Sequence, residues 1–249
     1  MSVQQASGGL ETGRAGGNTG LGRVRRWKAP HMPAVLRALA LLGLAGLAIP
    51  IGVFALRYVE ADPGLLPAGL RVNFLGHPIA FVAHTTAGGL ALLLTPVQLL
   101  PWLRRRHPRA HRWIGRAYVA ACMVGRLAGL RIAFGTAYGP VAAAGFAALA
   151  LAWLATTLRG FLAARAGDIA RHRAWMLRSA ALTFAAVTLR LEMIVLVELR
   201  LDFSVGYPAI AWLSWLPNLA FAEAWLRKRA APRRAPGPAT PGSRRRPAV

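Results

Sequence analysis

Hydrophobic positions along the chain form six long stretches that are separated by short polar connections. They cover 34–56, 75–101, 114–134, 141–163, 179–199 and 207–226. Each stretch has roughly the 20 residues that a helix needs to cross the hydrocarbon core of a bilayer. We therefore predict an all-α fold: a polytopic membrane helix bundle with six transmembrane helices, which occupies residues 34–226.

The two ends of the chain show no such pattern. Residues 1–33 are rich in glycine and arginine, and residues 227–249 are rich in arginine and proline. Segments of this composition cannot bury enough apolar surface to offset the entropy lost on folding. We expect both tails to be disordered.

Basic residues fix the predicted orientation. The chain has 31 Lys+Arg against 8 Asp+Glu. The basic residues concentrate in the N-terminal tail, in 102–116, in 164–178 and after Leu226, so every second connection is basic. This distribution follows the positive-inside rule and places both termini in the cytoplasm. It indicates a multi-pass protein of the bacterial cytoplasmic membrane.

The same basic segments suggest a partner. We expect them to contact anionic headgroups at the cytoplasmic face. A nucleic-acid partner is not expected, because these segments are separate loops and do not form an aromatic-laced basic face. Nothing in the sequence identifies a partner protein.

Four ionisable residues fall at membrane depth: His84, Arg126, Arg190 and Glu192. An ion facing lipid at that depth costs roughly 2.5–3.5 kcal/mol, so these groups should face the bundle interior and one another. We expect Glu192 to pair with Arg126, and Arg190 to meet His84, a carbonyl or a bound anion. They form a candidate ligand site, and the alternative is an interhelical polar clasp that only fixes packing.

A second polar cluster lies at the cytoplasmic edge. Its members are His111, Arg112, Arg116, Asp168, His172 and Arg173. Asp168 precedes His172 by one helical turn and could hold its imidazole. The favoured interpretation is that Asp168 caps the helix that follows.

Transmembrane histidines raise the hypothesis of a b-type haem. His84 is the candidate axial ligand, with Met193 at a compatible depth, and His111 with His172 is a second candidate pair. Phosphate-binding loops, nucleophile elbows and HExxH zinc motifs are absent from the sequence. No catalytic residues are therefore assigned, and an enzymatic activity is not expected.

Two blocks of the sequence resemble a known family. The first contains Thr95-Pro96-Val97-Gln98, Pro108-Arg109-Ala110-His111-Arg112 and Gly115-Arg116-Ala117-Tyr118, and the second runs from Gly167-Asp168 through His172-Arg173-Ala174-Trp175 to Leu189-Arg190. They resemble a bacterial and fungal membrane-protein family, domain of unknown function 2306. The resemblance implies a helical membrane protein and no established activity. It also directs attention to the histidines and arginines inside the matching blocks.

The sequence thus leaves three hypotheses for function. The first is a buried polar site that binds a small anionic or redox ligand, with b-type haem electron transfer as one form. The alternatives are a small-solute or proton-coupled transporter and a non-catalytic membrane assembly protein.

Overall fold

The computed structural model describes residues 33–60, 62–66 and 68–230, and these residues form helices and no strand. Most of both predicted disordered tails therefore lies outside the described residues. Ten α-helices follow one another in the described part: α1 Ala34–Leu56, α2 Ala68–Gly76, α3 Pro78–Leu99, α4 Pro101–Arg106, α5 Pro108–Ala133, α6 Gly139–Arg165, α7 Ile169–Thr183, α8 Ala185–Glu198, α9 Phe203–Leu213 and α10 Leu216–Ala230. The last helix thus extends four residues into the segment predicted to be a disordered tail.

Local sequence explains where several helices start and stop. Pro78, Pro101 and Pro108 occupy the first position of α3, α4 and α5, where a missing backbone N–H costs nothing. Between α6 and α7, Gly167 has φ +75°, the left-handed conformation that commonly ends a helix. The side chain of Asp168 then accepts a hydrogen bond from the Arg171 N–H at 2.9 Å. The predicted N-cap is confirmed.

Four helical stretches in the described residues have the length and apolar composition to cross a membrane: Ala34–Glu60, Pro78–Leu99, Gly139–Arg165 and Ile169–Glu198. They coincide with four of the six predicted spans. The other two predicted spans fall on α5, which carries five arginines, and on α9 with α10, which are separate helices of 11 and 15 residues.

The helices pack as a bundle around a small apolar core. α5 packs against α3 and α6, α1 packs against α3, and α6 also contacts α7 and α9. The core includes Cys122, Trp153 and Leu182, none of which is exposed. Large apolar side chains also cover the outside, and Leu39 and Leu42 of α1 are both more than half exposed. An exterior of this kind suits contact with lipid.

Candidate functional site

His84 lies on the face of α3 that meets α5. Its Nδ1–H donates to the Gly125 carbonyl at 2.8 Å. The two helices approach closely here, because a Cβ at Gly129 would lie 2.8 Å from His84 Nδ1. Gly125 and Gly129 stand four residues apart on α5, and their lack of a side chain allows this approach. With the ring proton on Nδ1, the Nε2 atom of His84 is a hydrogen-bond acceptor.

Arg126 follows Gly125 and points into the bundle, where it is 7% exposed. Its guanidinium carbon lies 3.5 Å from the centroid of the Trp153 ring on α6. Arg126 Nε and Trp153 Nε1 are both buried, and neither has a hydrogen-bond partner among the described residues. Two buried N–H donors therefore lie side by side here without a partner among the described residues.

Arg190 reaches the same place from α8. Its Nη1 donates to the Ala186 carbonyl one turn earlier, at 2.8 Å. A guanidinium group has five N–H donors, and this hydrogen bond uses one of them. The other N–H groups of Arg190 can therefore donate to a ligand.

These side chains line one cavity of about 50 Å³. Its polar lining consists of His84, Thr85, Arg126, Trp153, Thr183 and Arg190. One water needs roughly 10–15 Å³ on this measure, so the cavity has room for a few water-sized groups. The lining holds two arginines and no carboxylate. The cavity is thus positively charged.

The cavity lies at one depth on all three helices that supply its ionisable groups. His84 is six residues from the start of α3, Arg126 seven from the end of α5 and Arg190 eight from the end of α8. At 1.5 Å per residue these offsets are about 9, 10 and 12 Å. The structure therefore brings together three of the four residues predicted to meet at membrane depth.

Glu192 is the fourth predicted residue and does not line the cavity. The expected ion pair with Arg126 is not formed, and Glu192 Oε2 is buried with no hydrogen-bond partner within the described ranges. Two residues of helix rotate a side chain by about 200°, so Glu192 faces away when Arg190 faces inward.

The cytoplasmic-edge cluster is only partly assembled. Burial, with nearby Arg104 and His172, holds the pKa of His111 below its usual value. His172 donates from Nδ1 to the Gly160 carbonyl at 2.9 Å and not to Asp168, which caps α7. Arg112, Arg116 and Arg173 lie exposed at the same end of the bundle. Of the predicted cluster, the structure thus places His172 close enough to His111 to lower the pKa of His111, and it uses Asp168 as a helix cap.

Residues 81–226, more than half of the chain, match the family model described as "Predicted membrane protein (DUF2306)". The chain belongs to this family. The resemblance drawn from the two sequence blocks is confirmed, and the matched region contains every ionisable residue of the cavity. No curated protein matches the chain, and no solved structure does.

Sequence reasoning missed a group of buried hydroxyls in this DUF2306 protein. We name Tyr118, Thr157, Ser179 and Thr183 the hydroxyl cluster. Tyr118 Oη lies 2.8 Å from both Ser179 Oγ and Thr183 Oγ1, and Thr157 Oγ1 lies 2.7 Å from Ser179 Oγ. These bonds join α5, α6 and α7. The spacing of these residues along the sequence gives no signal of the cluster, because its members come from three helices.

The proton order of the hydroxyl cluster follows from its geometry. Thr183 donates to the Ser179 carbonyl at 2.9 Å. Since a hydroxyl has one proton, Thr183 must accept from Tyr118, Tyr118 from Ser179 and Ser179 from Thr157. Every hydroxyl is satisfied, and Thr183 connects the cluster to the cavity wall.

A haem or metal at His84 is poorly accommodated. No group of three or more His, Cys, Asp or Glu side chains is placed to hold a metal in the described part. Pockets for larger organic ligands measure roughly 300–1,000 Å³, several times the 50 Å³ found beside His84.

Proposed function

We propose that this DUF2306 member is a multi-pass membrane protein that binds a small anion in the cavity between His84, Arg126 and Arg190. The observation that supports it is the lining, which has two arginines and no carboxylate and includes Arg126 and Trp153, each with a buried N–H that has no partner among the described residues. Cation and donor groups without an acidic partner favour an anionic ligand.

The free-energy cost of two arginines at membrane depth favours a bound anion over a helix contact that holds no ligand. Each uncompensated arginine at membrane depth costs roughly 2.5–3.5 kcal/mol. The Trp153 ring offsets part of that cost for Arg126 through its cation–π contact. Arg190 has one carbonyl contact from Ala186. A bound anion between the two guanidinium groups would offset the rest of the cost of placing both arginines at membrane depth.

Cavity volume sets the size of the ligand. About 50 Å³ suits an inorganic anion of a few heavy atoms. This size favours the anionic form of the predicted ligand over the redox form, since a haem would need the helices to separate. Transport of the anion and a purely structural role are the alternative functions.

We further propose six membrane crossings with both ends in the cytoplasm of a bacterial cell. α5 packs between two of the apolar spans, α3 and α6, and must share their depth. Its 26 residues correspond to about 39 Å, enough to cross. α9 and α10 pack along α6 and α7 and together make the sixth crossing. The basic connections would then face anionic headgroups.

Single-cysteine labelling in intact cells tests this topology. Cys122 is not exposed, so the wild-type chain gives a low background with a membrane-impermeant thiol reagent. We expect a cysteine at Ser204 to react from outside, and one at Arg105 to react only after the cells are opened. Labelling of Arg105→Cys in intact cells would contradict the orientation.

Anion binding to the purified full-length protein tests the function. We propose calorimetric titration with nitrate at constant ionic strength, with the bulky anion gluconate as the replacement. Wild type should bind one nitrate saturably, and Arg126→Met should weaken binding at least tenfold, about 1.4 kcal/mol. Arg116→Met is the matched control, because Arg116 stacks on Trp113 at 4.7 Å outside the cavity. Absence of saturable binding of nitrate and of every other small anion tested, or equal loss in both variants, would refute the proposal.

A further inference from the structure

The cavity is lined by hydrogen-bond acceptors as well as donors, and the acceptors limit which anions can pair with the whole lining. His84 donates its ring proton to the Gly125 carbonyl, so its Nε2 atom is an acceptor. This Nε2 atom has no hydrogen-bond partner in the described part of the chain. Thr85 commits its hydroxyl proton to the Phe81 and Val82 carbonyls at 3.0 and 3.1 Å. Its oxygen therefore offers only lone pairs to the cavity.

Donors approach the cavity from other helices. Arg126 comes from α5, Trp153 from α6 and Arg190 from α8, whereas His84 and Thr85 both belong to α3. A ligand that satisfies the whole lining must accept hydrogen bonds from the donor helices and donate one toward α3. Halides and fully deprotonated oxyanions cannot donate, so they would leave the His84 acceptor unpaired at a cost.

We propose that the ligand of this cavity is a small oxyanion that carries a hydroxyl group, of the size and shape of hydrogencarbonate. This inference rests on the proposed anion site and names its ligand class. The ligand's charged oxygens would accept from Arg126, Arg190 and Trp153, and its hydroxyl would donate to His84 Nε2. Four heavy atoms fit a volume of about 50 Å³, which has room for three to five waters.

Nitrate and hydrogencarbonate are a matched pair of probes. Both are planar with one negative charge and three oxygens, and hydrogencarbonate alone carries a hydroxyl. We expect wild type to bind hydrogencarbonate about tenfold more tightly than nitrate, which is the upper end of the range for one hydrogen bond between uncharged groups. Titrations of the full-length protein in mild detergent, at a pH where hydrogencarbonate predominates, measure this ratio.

Two substitutions at His84 test whether its Nε2 atom causes the preference for hydrogencarbonate. His84→Asn can keep the donor toward Gly125 but places no atom at the Nε2 position, and we expect the affinity ratio to fall to about one. His84→Gln places an amide oxygen there, and the preference should return. The readout is a ratio, so any general weakening of the site cancels. His77→Asn is the control, because His77 contacts Arg131 outside the cavity.

The outcomes separate the two proposals. If wild type binds nitrate and hydrogencarbonate equally well, or His84→Asn keeps the preference, the inference about the hydroxyl is wrong and the anion site stands. If wild type binds neither probe, the anion site itself is refuted.

Discussion

The guanidinium carbon of Arg126 lies 3.5 Å from the centroid of the Trp153 ring, in a part of the bundle where Trp153 is fully buried. The contact joins α5 to α6. It also holds the guanidinium at the cavity wall, because the aromatic face attracts the cation and restricts its rotation. Trp153 therefore both packs α6 against α5 and holds the positive charge of Arg126 at the cavity.

Replacing Trp153 should separate these two contributions. We expect Trp153→Leu to lower the free energy of unfolding by about 3 kcal/mol, since it removes a buried ring and the cation–π contact together. Trp153→Phe keeps an aromatic face and should cost clearly less. Unfolding by sodium dodecyl sulfate in mixed micelles measures both. Equal losses in the two variants would show that the ring face does not hold Arg126.

The close approach of α3 and α5 predicts a position that tolerates no side chain. Gly129→Ala should destabilise the protein and weaken anion binding, because the new Cβ would come within 2.8 Å of His84 Nδ1. Gly43→Ala is the matched control, since a Cβ there meets nothing within 4 Å. In the control we expect a gain of up to about 1 kcal/mol from helix propensity. Similar behaviour of the two variants would contradict the close packing at His84.

The hydroxyl cluster should stabilise the junction of α5, α6 and α7. Tyr118→Phe removes the central hydroxyl and leaves Ser179 and Thr183 short of a partner. We expect a loss of about 1–3 kcal/mol in the free energy of unfolding. Tyr138→Phe serves as control, because the structure shows no hydrogen bond from that hydroxyl to any described residue. A loss no larger than in the control would show that water replaces the missing bonds.

Hydrophobic runs predicted the helices well because about 20 apolar residues have few alternatives to a membrane-crossing helix. Depth along each run also predicted that His84, Arg126 and Arg190 would meet. Rotation about each axis was harder to predict. The Arg126–Glu192 pair was expected because Glu192 and Arg190 lie about 200° apart on one helix, yet Arg126 shares the cavity with Arg190 and Glu192 faces away from both.

Residues without charge were missed for a related reason. Trp153 and the hydroxyl cluster carry no obvious cost at membrane depth, so composition and hydropathy do not single them out. Their role depends on which faces of α5, α6 and α7 meet. That relationship belongs to the packed bundle, and no single segment encodes it.

The position of His111 predicts a loss of stability in mild acid. Its pKa in the folded protein lies below the usual 6.5, mainly through burial, with contributions from Arg104 and His172. The unfolded chain takes up a proton near pH 6.5, whereas the folded chain does so only at lower pH. The free energy of unfolding should therefore fall as pH drops below about 6.5. Unfolding titrations between pH 5 and 8, in steps of roughly half a unit, measure this slope. His111→Gln should flatten it, and an unchanged slope would assign the effect to another group.

Arg178 and Glu223 provide a final test, of how α10 is attached to the bundle. Arg178 on α7 contacts Glu223 through two parallel hydrogen bonds, of which Nη2 to Oε2 measures 3.0 Å, and the side chains are 19% and 32% exposed. A partly buried, bidentate ion pair should show a coupling energy of about 1–3 kcal/mol in a double-mutant cycle of Arg178→Gln and Glu223→Gln. Arg171 and Asp168 form the comparison pair, at 3.9 Å with exposures of 75% and 42%, and should couple by less than about 0.5 kcal/mol. The difference matters because α10 contributes to the proposed sixth crossing, and this pair links it to an apolar span. Equal coupling in the two cycles would mean that apolar packing alone holds α10 against α7.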